Sequence, residues 1–313
     1  MKFSLYSAEH GGGAGKPNKK KALKKLQNLV LSDKQDLDFF RKNIDSQFFS
    51  AHVPAQVEIE QKIFEGIHCD ILTPVVASSN RIILYVHGGG FIGGSNKSWR
   101  SFCASLASES SCRLLFPNFR LAPQHPYPAS LEDLQLLFKE LYIFLKIKNI
   151  TQIILAADGS GASIALAFFQ ELSEFYRHII KGIILFSPWL TLDTTNLVKN
   201  KKNTDGIISV DNLLKSGELY TYPSNLTNPL ISPLFMPDKI LRSLPPVYIQ
   251  GGGAEFLLPT YKSFYKKLQE GNIPTTLDIW PNMMFMFQMA HEYIPQAHLA
   301  IQRIGKYIQQ NYK

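Results

Sequence analysis

A glycine-rich segment, His87–Phe91, is the part of this sequence whose residue types and spacing point most directly to chemistry. It reads His-Gly-Gly-Gly-Phe and follows an apolar run that ends at Val86. Glycines in such a place let the backbone approach a ligand closely and direct its amide N–H groups into a pocket. N–H groups arranged in this way stabilise the oxyanion that develops in acyl transfer, and each donor is typically worth about 3 kcal/mol. We therefore predict a binding site for a carbonyl or carboxylate oxygen at this loop.

The elements that would position the loop alternate between short apolar strands and helices. This alternation predicts an α/β fold with a mostly parallel sheet that helices cover on both faces. Sheets of this kind bind ligands at the carboxyl ends of their strands, which is where the glycine loop lies. The predicted strands are Arg81–His87, Arg113–Pro117, Gln152–Ala157, Lys181–Ser187, Val247–Gly251 and Thr276–Trp280, and the predicted helices span residues 99–110, 129–147, 160–176, 259–270 and 295–311.

The regions outside this alternation suggest two domains and a lid. Residues 1–50 are predicted to form a basic leader and a helical cap, with one amphipathic helix over Lys19–Leu31 and a second that covers Leu37 to Ile44. Residues 51–313 form the main domain, which opens with a hairpin over Val57–Leu72. Residues 192–238 are irregular and rich in Asn, Pro and Ser, and they form a possible additional lid segment.

Several motifs beyond the glycine loop stand in an order that resembles the hormone-sensitive-lipase-like carboxylesterase family. The resemblance covers nearly all of the chain from Val57 onward. It implies an α/β-hydrolase fold with a central sheet of about eight strands, flanking helices and an N-terminal helical cap. Besides His87–Phe91, the motifs are Phe119–Ala129, Glu132-Asp133, Ser187–Trp189, Asn228–Leu234 and Leu244–Pro246.

The nucleophile position departs from the family pattern. In the family, the strand that ends near Ala157 continues into Gly-Asp-Ser-Ala-Gly-Gly, and the serine sits on a strained strand-to-helix turn. An ungapped alignment matches Asp158 and Gly161 but leaves Gly159 at the place of the serine. Glycine has no side chain, so no acyl-enzyme can form there. Ser160 is the nearest substitute, but a helical step rotates its side chain by about 100°, so the simpler interpretation is a helix N-cap or first-turn residue.

The general base is missing as well, and only the acid remains. Where the family has a histidine after a Trp-Pro-Gly-Met stretch, this chain has Phe285, and a phenyl ring accepts no proton. His291 is a possible replacement base, although six residues further on it lies out of phase. Glu255 matches the acid that orients the histidine. Without its partner, Glu255 should have a raised pKa if it is buried, or else it turns to solvent or accepts from backbone amides.

These departures predict a catalytically inactive or severely impaired member of the family. Loss of the serine or the histidine of such a triad lowers turnover by roughly a million-fold. The remaining role is a non-catalytic binder of an acyl or carboxylate ligand through the N–H groups of Gly88, Gly89 and Ser160, or an interaction scaffold. The alternative is an active ester hydrolase that uses Ser160 and His291.

Charge and composition limit the partners. The net charge is +8, and the lysines of Lys19–Lys25 could make weak contact with anionic membranes or simply form a solvated helix face. We expect no nucleic-acid partner, no metal and no cofactor, and the oligomeric state stays open. The chain has no apolar run of about eighteen residues, no apolar segment typical of a signal peptide and only three cysteines, which together favour a cytoplasmic protein.

Overall fold

The computed structural model describes residues 18–32, 35–49, 53–195 and 205–312. Its strands are β1 (Val57–Phe64), β2 (Ile67–Pro74), β3 (Arg81–Val86), β4 (Arg113–Pro117), β5 (Gln152–Asp158), β6 (Ile180–Phe186), β7 (Val247–Gly252) and β8 (Thr275–Trp280). The α-helices are α1 (Lys19–Leu26), α2 (Leu37–Phe49), α3 (Asn96–Ser110), α4 (Ala129–Ile147), α5 (Gly161–Glu171), α6 (Glu174–Arg177), α7 (Val210–Tyr220), α8 (Asp238–Leu241), α9 (Leu258–Glu270) and α10 (Pro295–Asn311).

The eight strands form one sheet in the order β1-β2-β4-β3-β5-β6-β7-β8, which confirms the predicted fold class. β1 and β2 pair antiparallel, as the predicted hairpin requires, and β2 pairs antiparallel with β4. All other pairs are parallel. Because Val86 pairs with Ala157 in this register, the loop after β3 and the turn after β5 leave the sheet side by side. These two connections build the candidate site.

The core lies on both sides of the central strands. Every residue of β3 is buried, and β5 and β6 are buried at all but one position each, which explains why these strands read as continuous apolar runs rather than as alternating ones. Helices α3 and α10 contact each other over the sheet, as do α4 and α5. The predicted strand and helix positions in this part of the chain are close to those observed, apart from the helix predicted over 160–176. This helix ends at Glu171, and the short α6 follows.

The cap differs from its prediction in one respect that matters for the site. The helix predicted over Lys19–Leu31 ends at Leu26, and a 3₁₀ turn, Gln27–Leu29, replaces its last part. The extended backbone at Val30 then carries the chain toward the main domain. The apolar side chains of α1 face inward, where Ala22 and Leu26 are fully buried. The leader predicted before α1 lies outside the described residues.

The possible lid over 192–238 contains a helix that the sequence did not predict. Residues 196–204 are outside the described part, and α7 follows, with Ser209 as an N-cap whose side chain accepts from the Asn212 N–H. Helix α7 covers the carboxyl edge of the sheet, because its residues Leu213 and Ser216 line the cavity described below. None of the described helices is long and apolar enough to cross a membrane.

Candidate active site

The glycine loop is tied to β5 through its first glycine. The N–H of Gly88 donates to Oδ1 of Asp158 at 2.9 Å, so it is not available to a ligand. The prediction that Gly88 supplies an oxyanion donor is therefore wrong. Gly89 and Gly90 both have positive φ, and within the described ranges no group accepts from their N–H groups. The loop thus offers Gly89 and Gly90, not Gly88 and Gly89, to the cavity.

Asp158 anchors this loop from beneath. Its Oδ1 accepts from the hydroxyl of Tyr85 at 2.7 Å and from the indole N–H of Trp99 at 2.8 Å, in addition to Gly88. Burial raises the pKa of Asp158 to about 7, although the three hydrogen bonds oppose that shift. The carboxyl group is a positioning element, and its donors explain why a charged residue type is tolerated at a fully enclosed position.

Gly159 lies at the turn from β5 into α5, the place predicted for the nucleophile. Its φ is +47°, and its carbonyl accepts from the Trp189 N–H at 2.9 Å. A Cβ added at Gly159 would stand 3.3 Å from Cζ of Phe285. Phe285, at the position predicted for the base, therefore lies directly beside Gly159, at the position predicted for the nucleophile.

Ser160 occupies the N-cap position of α5 but does not cap the helix with its side chain. Its Oγ instead accepts from the Phe91 N–H at 3.1 Å, and the residue is buried. The predicted location is right, while the capping bond expected for a serine there is absent from the described contacts. The hydroxyl ties α5 to the glycine loop. The backbone N–H of Ser160 has no acceptor in the described part of the chain, so its predicted role as a donor to a ligand stays a prediction.

Phe285 is held in place by a residue that the sequence analysis did not single out. Its N–H donates to Oδ2 of Asp205 at 2.8 Å, while Oδ1 of Asp205 accepts from the N–H groups of Ile207 and Ile208. Burial raises the pKa of Asp205 above its usual value. Asp205 lies 80 residues before Phe285 in a stretch read as irregular, and no motif marked it.

The candidate replacement base lies elsewhere. His291 is half-buried in the turn that follows a 3₁₀ helix, Phe287–Ala290, and it is not among the residues that line the cavity. His298 sits on α10, 3.9 Å from Glu109. His87 is buried between the rings of Phe119 and Trp99, and burial lowers its pKa to about 4, so it is neutral. The structure does not bring any of these histidines to the cavity lining.

Glu255 is completely buried and has acquired other partners in place of a histidine. Oε1 accepts from the hydroxyl of Ser187 at 2.7 Å and from the Gly252 N–H, and Oε2 accepts from the hydroxyl of Tyr261 at 3.2 Å. Ser187 in turn accepts from the Met286 N–H. Burial raises the pKa of Glu255 well above its usual range, and the nearby charge of Asp205 adds to this. Glu255 is therefore buried with a raised pKa and also accepts from a backbone amide, so these two outcomes are not alternatives.

The cavity at these residues is small. Its volume is about 30 Å³, enough for about two water molecules, whereas small-molecule pockets usually measure about 300–1,000 Å³. Phe285 closes one side, and Leu29–Leu31 of the cap and Leu213 and Ser216 of α7 close the others. Gly89, Gly90 and Ser160 line this cavity, but as it stands the cavity has no space for an acyl chain.

Comparison with known proteins assigns the fold and this site to a family. A family model described as the alpha/beta hydrolase fold matches residues 83–289, which include the glycine loop, Gly159 and Phe285. The chain belongs to the α/β-hydrolase family. An esterase of Acinetobacter venetianus is 31% identical to this hydrolase-fold chain over 236 residues, which are 74% of the chain and 75% of the esterase. An acetyl-hydrolase of Streptomyces hygroscopicus is 26% identical and matches 73% of the chain and 75% of its own length.

Solved structures place this α/β-hydrolase in the hormone-sensitive-lipase-like branch. A hormone-sensitive lipase from a metagenome library superposes with a TM-score of 0.82 at 27% identity and covers 95% of this chain and all of its own. A variant of the esterase E40 superposes with a TM-score of 0.85 at 24% identity, covering 94% of this chain and 98% of its own. The protein is thus a hormone-sensitive-lipase-like hydrolase of carboxylesterase type, as its motifs predicted.

Proposed function

We propose that this hormone-sensitive-lipase-like protein has lost acyl transfer and acts by binding. The observation that carries the proposal is the pairing of Gly159 and Phe285, which puts a phenyl ring where the triad needs a hydroxyl and an imidazole. Acyl transfer needs a nucleophile activated by a base within hydrogen-bond reach. Among the described residues, no histidine lines the cavity, and the acid Glu255 is engaged by Ser187 and Tyr261.

The binding role rests on what the ancestral site retains. Gly89, Gly90 and Ser160 all line the cavity near the start of α5, a place where backbone N–H groups favour carbonyl and carboxylate oxygens. The cavity of about 30 Å³ admits only the tip of such a ligand, so a larger acyl or carboxylate compound would bind after Leu29–Leu31 move aside. A scaffold role without any ligand is the other form of the same proposal.

We also propose a cytosolic location for the protein. Its three cysteines are free and buried, which is typical of proteins in a reducing compartment.

The test is an assay of ester turnover and serine labelling on the full chain. We expect no turnover of p-nitrophenyl acetate or butyrate above buffer, and no labelling by a fluorophosphonate, because position 159 has no hydroxyl. The contrary result would be turnover that disappears in Ser160→Ala and survives in Ser163→Ala. Ser163 is a matched control, since it lies one turn further along α5 with its hydroxyl bonded to the Trp189 carbonyl. That result would establish the alternative, a hydrolase that uses Ser160.

A further inference from the structure

A second and much larger concavity lies on the outer side of the cap. This outer groove runs between α1 and α2 and has a volume of about 950 Å³, within the range of small-molecule sites. Val30 and Asn212 line both the outer groove and the small inner cavity. A single layer of residues therefore separates the small inner cavity from the larger and more open outer groove.

The charge of the outer groove is positive and largely uncompensated. Lys21, Lys24 and Lys25 line it, and Glu292 is the one carboxylate among its described lining residues. Glu292 forms an ion pair with Lys25. The ammonium group of Lys25 also lies 4.8 Å from the ring centre of Phe48. Lys21 and Lys24 are exposed and have no carboxylate partner within the described ranges. Among the described residues, Lys21 and Lys24 thus line the groove without a paired carboxylate.

The placement of these lysines costs helix stability. Helix α1 has five lysines in eight residues and no acidic residue in its first turn, so Lys19–Lys21 oppose the helix dipole, whereas Lys24 and Lys25 lie in the last turn, where the dipole favours them. Like charges four residues apart, such as Lys20 and Lys24, destabilise a helix by about 0.2–0.5 kcal/mol per pair. The packing of α1 does not require Lys21 or Lys24, because its buried residues are Ala22, Lys25 and Leu26. A bound anion would remove this repulsion.

The opposite wall of the groove supplies neutral hydrogen-bonding groups and an apolar surface. Gln35 and Gln47 present amide groups, Ser32 and Ser46 lie beside them, and Phe39 is 53% exposed. Such a wall suits a polar ligand with a small apolar part. Helix α1 does not resemble a membrane-insertion helix, because its apolar residues Ala22 and Leu26 are buried in the protein and Leu23 is half-buried.

We propose that the outer groove binds a small organic anion, carrying a carboxylate or phosphate group, through Lys21 and Lys24. The inference goes beyond the proposed function because it adds a second binding site, on the cap, that is separate from the inner cavity. The sequence predicted that the lysines of Lys19–Lys25 could contact anionic membranes, and the present proposal names Lys21 and Lys24 as the two lysines that contact the anion. The anion is either a free molecule or the headgroup of a lipid, since both present the same group.

The experiment is calorimetric titration of the full chain with citrate and with inorganic phosphate at low salt. We expect saturable binding of at least one of these anions. The variant Lys21→Gln/Lys24→Gln should weaken it by at least ~10-fold, because each hydrogen bond to a charged group contributes about tenfold in affinity. The matched control, Lys19→Gln/Lys20→Gln, makes the same charge change on the same helix outside the groove. It should change affinity by less than about twofold in view of screening by solvent and salt.

Sedimentation with phosphatidylcholine vesicles, with and without one-quarter phosphatidylserine, separates the two sources of the anion. Binding only to the anionic vesicles that depends on Lys21 and Lys24, and not on Lys19 and Lys20, supports a headgroup in the groove. The proposal is overturned if neither anion nor vesicle binds, or if both lysine pairs weaken binding equally, since that indicates unspecific attraction. The ester and fluorophosphonate assays depend on position 159, so either proposal can fail without the other.

Discussion

At the scale of single residues, Gly159 and Phe285 are 126 positions apart in the chain but neighbours in the fold, and the proposed loss of acyl transfer rests on this pair. The space that a serine Cβ would fill is bounded by the phenyl ring of Phe285 at 3.3 Å, and the backbone N–H of Phe285 donates to Asp205. Neither residue alone accounts for the closed cavity. Under the proposed loss of acyl transfer, a return to catalysis requires both positions to change.

The double variant Gly159→Ser/Phe285→His should regain ester hydrolysis, because Glu255 and the N–H groups of Gly89, Gly90 and Ser160 are still in place. Triad members act as a unit, so we expect turnover of p-nitrophenyl acetate at least ~10-fold above either single variant. The φ of +47° at position 159 strains any residue other than glycine, at a cost of about 1–3 kcal/mol in stability. Circular dichroism should confirm folding before kinetics are measured.

Equal activity of Gly159→Ser and the double variant would contradict this prediction, because it would show that no base is needed at position 285. A folded double variant that forms a fluorophosphonate adduct but does not turn over would equally count against it, by showing that the acid and the oxyanion donors do not assist.

At the scale of elements, the cap is fastened to α7 by a small number of directed bonds. The side-chain N–H of Asn212 donates to the Leu31 carbonyl at 2.8 Å, and the amide of Gln27 donates to the Gly206 carbonyl at 2.9 Å. Because Leu31 and Asn212 both line the inner cavity, these bonds hold it shut. The Oδ1 of Asn212 also accepts from Ser209. The side chain of Asn212 thus closes the N-terminus of α7 through Oδ1 and binds the helical cap through its N–H group.

Asn212→Asp should loosen the cap while it preserves the start of α7. The aspartate keeps the acceptor for Ser209 but has no N–H for Leu31, and its charge repels that carbonyl. We expect faster hydrogen exchange of the backbone amides in residues 19–31 than in the unmodified protein. Ser209→Ala is the control, since it removes the N-cap and costs about 1 kcal/mol of helix stability but leaves the bond to Leu31. Equal loosening by both variants would mean that α7 as a whole, and not this bond, retains the cap.

At the scale of the whole molecule, buried carboxyl groups couple stability to pH. Asp158, Asp205 and Glu255 all have pKa values raised by burial, and all lie around one end of the sheet. A group with a folded-state pKa above its unfolded value holds its proton longer in the folded protein. Its contribution to stability is therefore fully present at low pH and is lost as the pH rises through the folded-state pKa.

Asp158→Asn should remove part of this dependence. The ordinary pKa of the aspartate is 3.8 and that in the fold is about 7. The unfolding free energy of the native chain, relative to that of the variant, should thus fall between about pH 4 and pH 7, by at most about 1.4 kcal/mol per pH unit. The asparagine Oδ1 can still accept from Tyr85, Gly88 and Trp99. Urea unfolding at several pH values measures the difference, and a constant difference over this range would show that Asp158 ionises alike in both states.

The sequence by itself determined the fold and identified Gly159 and Phe285, the two residues on which the proposed loss of the triad rests. Continuous apolar runs marked the buried parallel strands, and the motifs from His87 to Pro246 located the glycine loop and the turn at Gly159. These features depend on local residue types and spacing. The helix α7 was missed because Val210–Tyr220 lies within a segment whose Asn, Pro and Ser content resembles a loop, although Ser209 provides a capping signal that could have revealed it.

Only the tertiary structure decided what the remaining site can hold. The N–H of Gly88 donates to the carboxylate of Asp158, 70 residues away in the chain, and the N–H of Phe285 donates to the carboxylate of Asp205, 80 residues away. No local pattern encodes such partners, because hydrogen bonds between distant segments depend on how the whole chain packs. The same is true of volume: the inner cavity of about 30 Å³ and the outer groove of about 950 Å³ are spaces left between several elements. Their sizes follow from the packing of the cap, α7 and the sheet together.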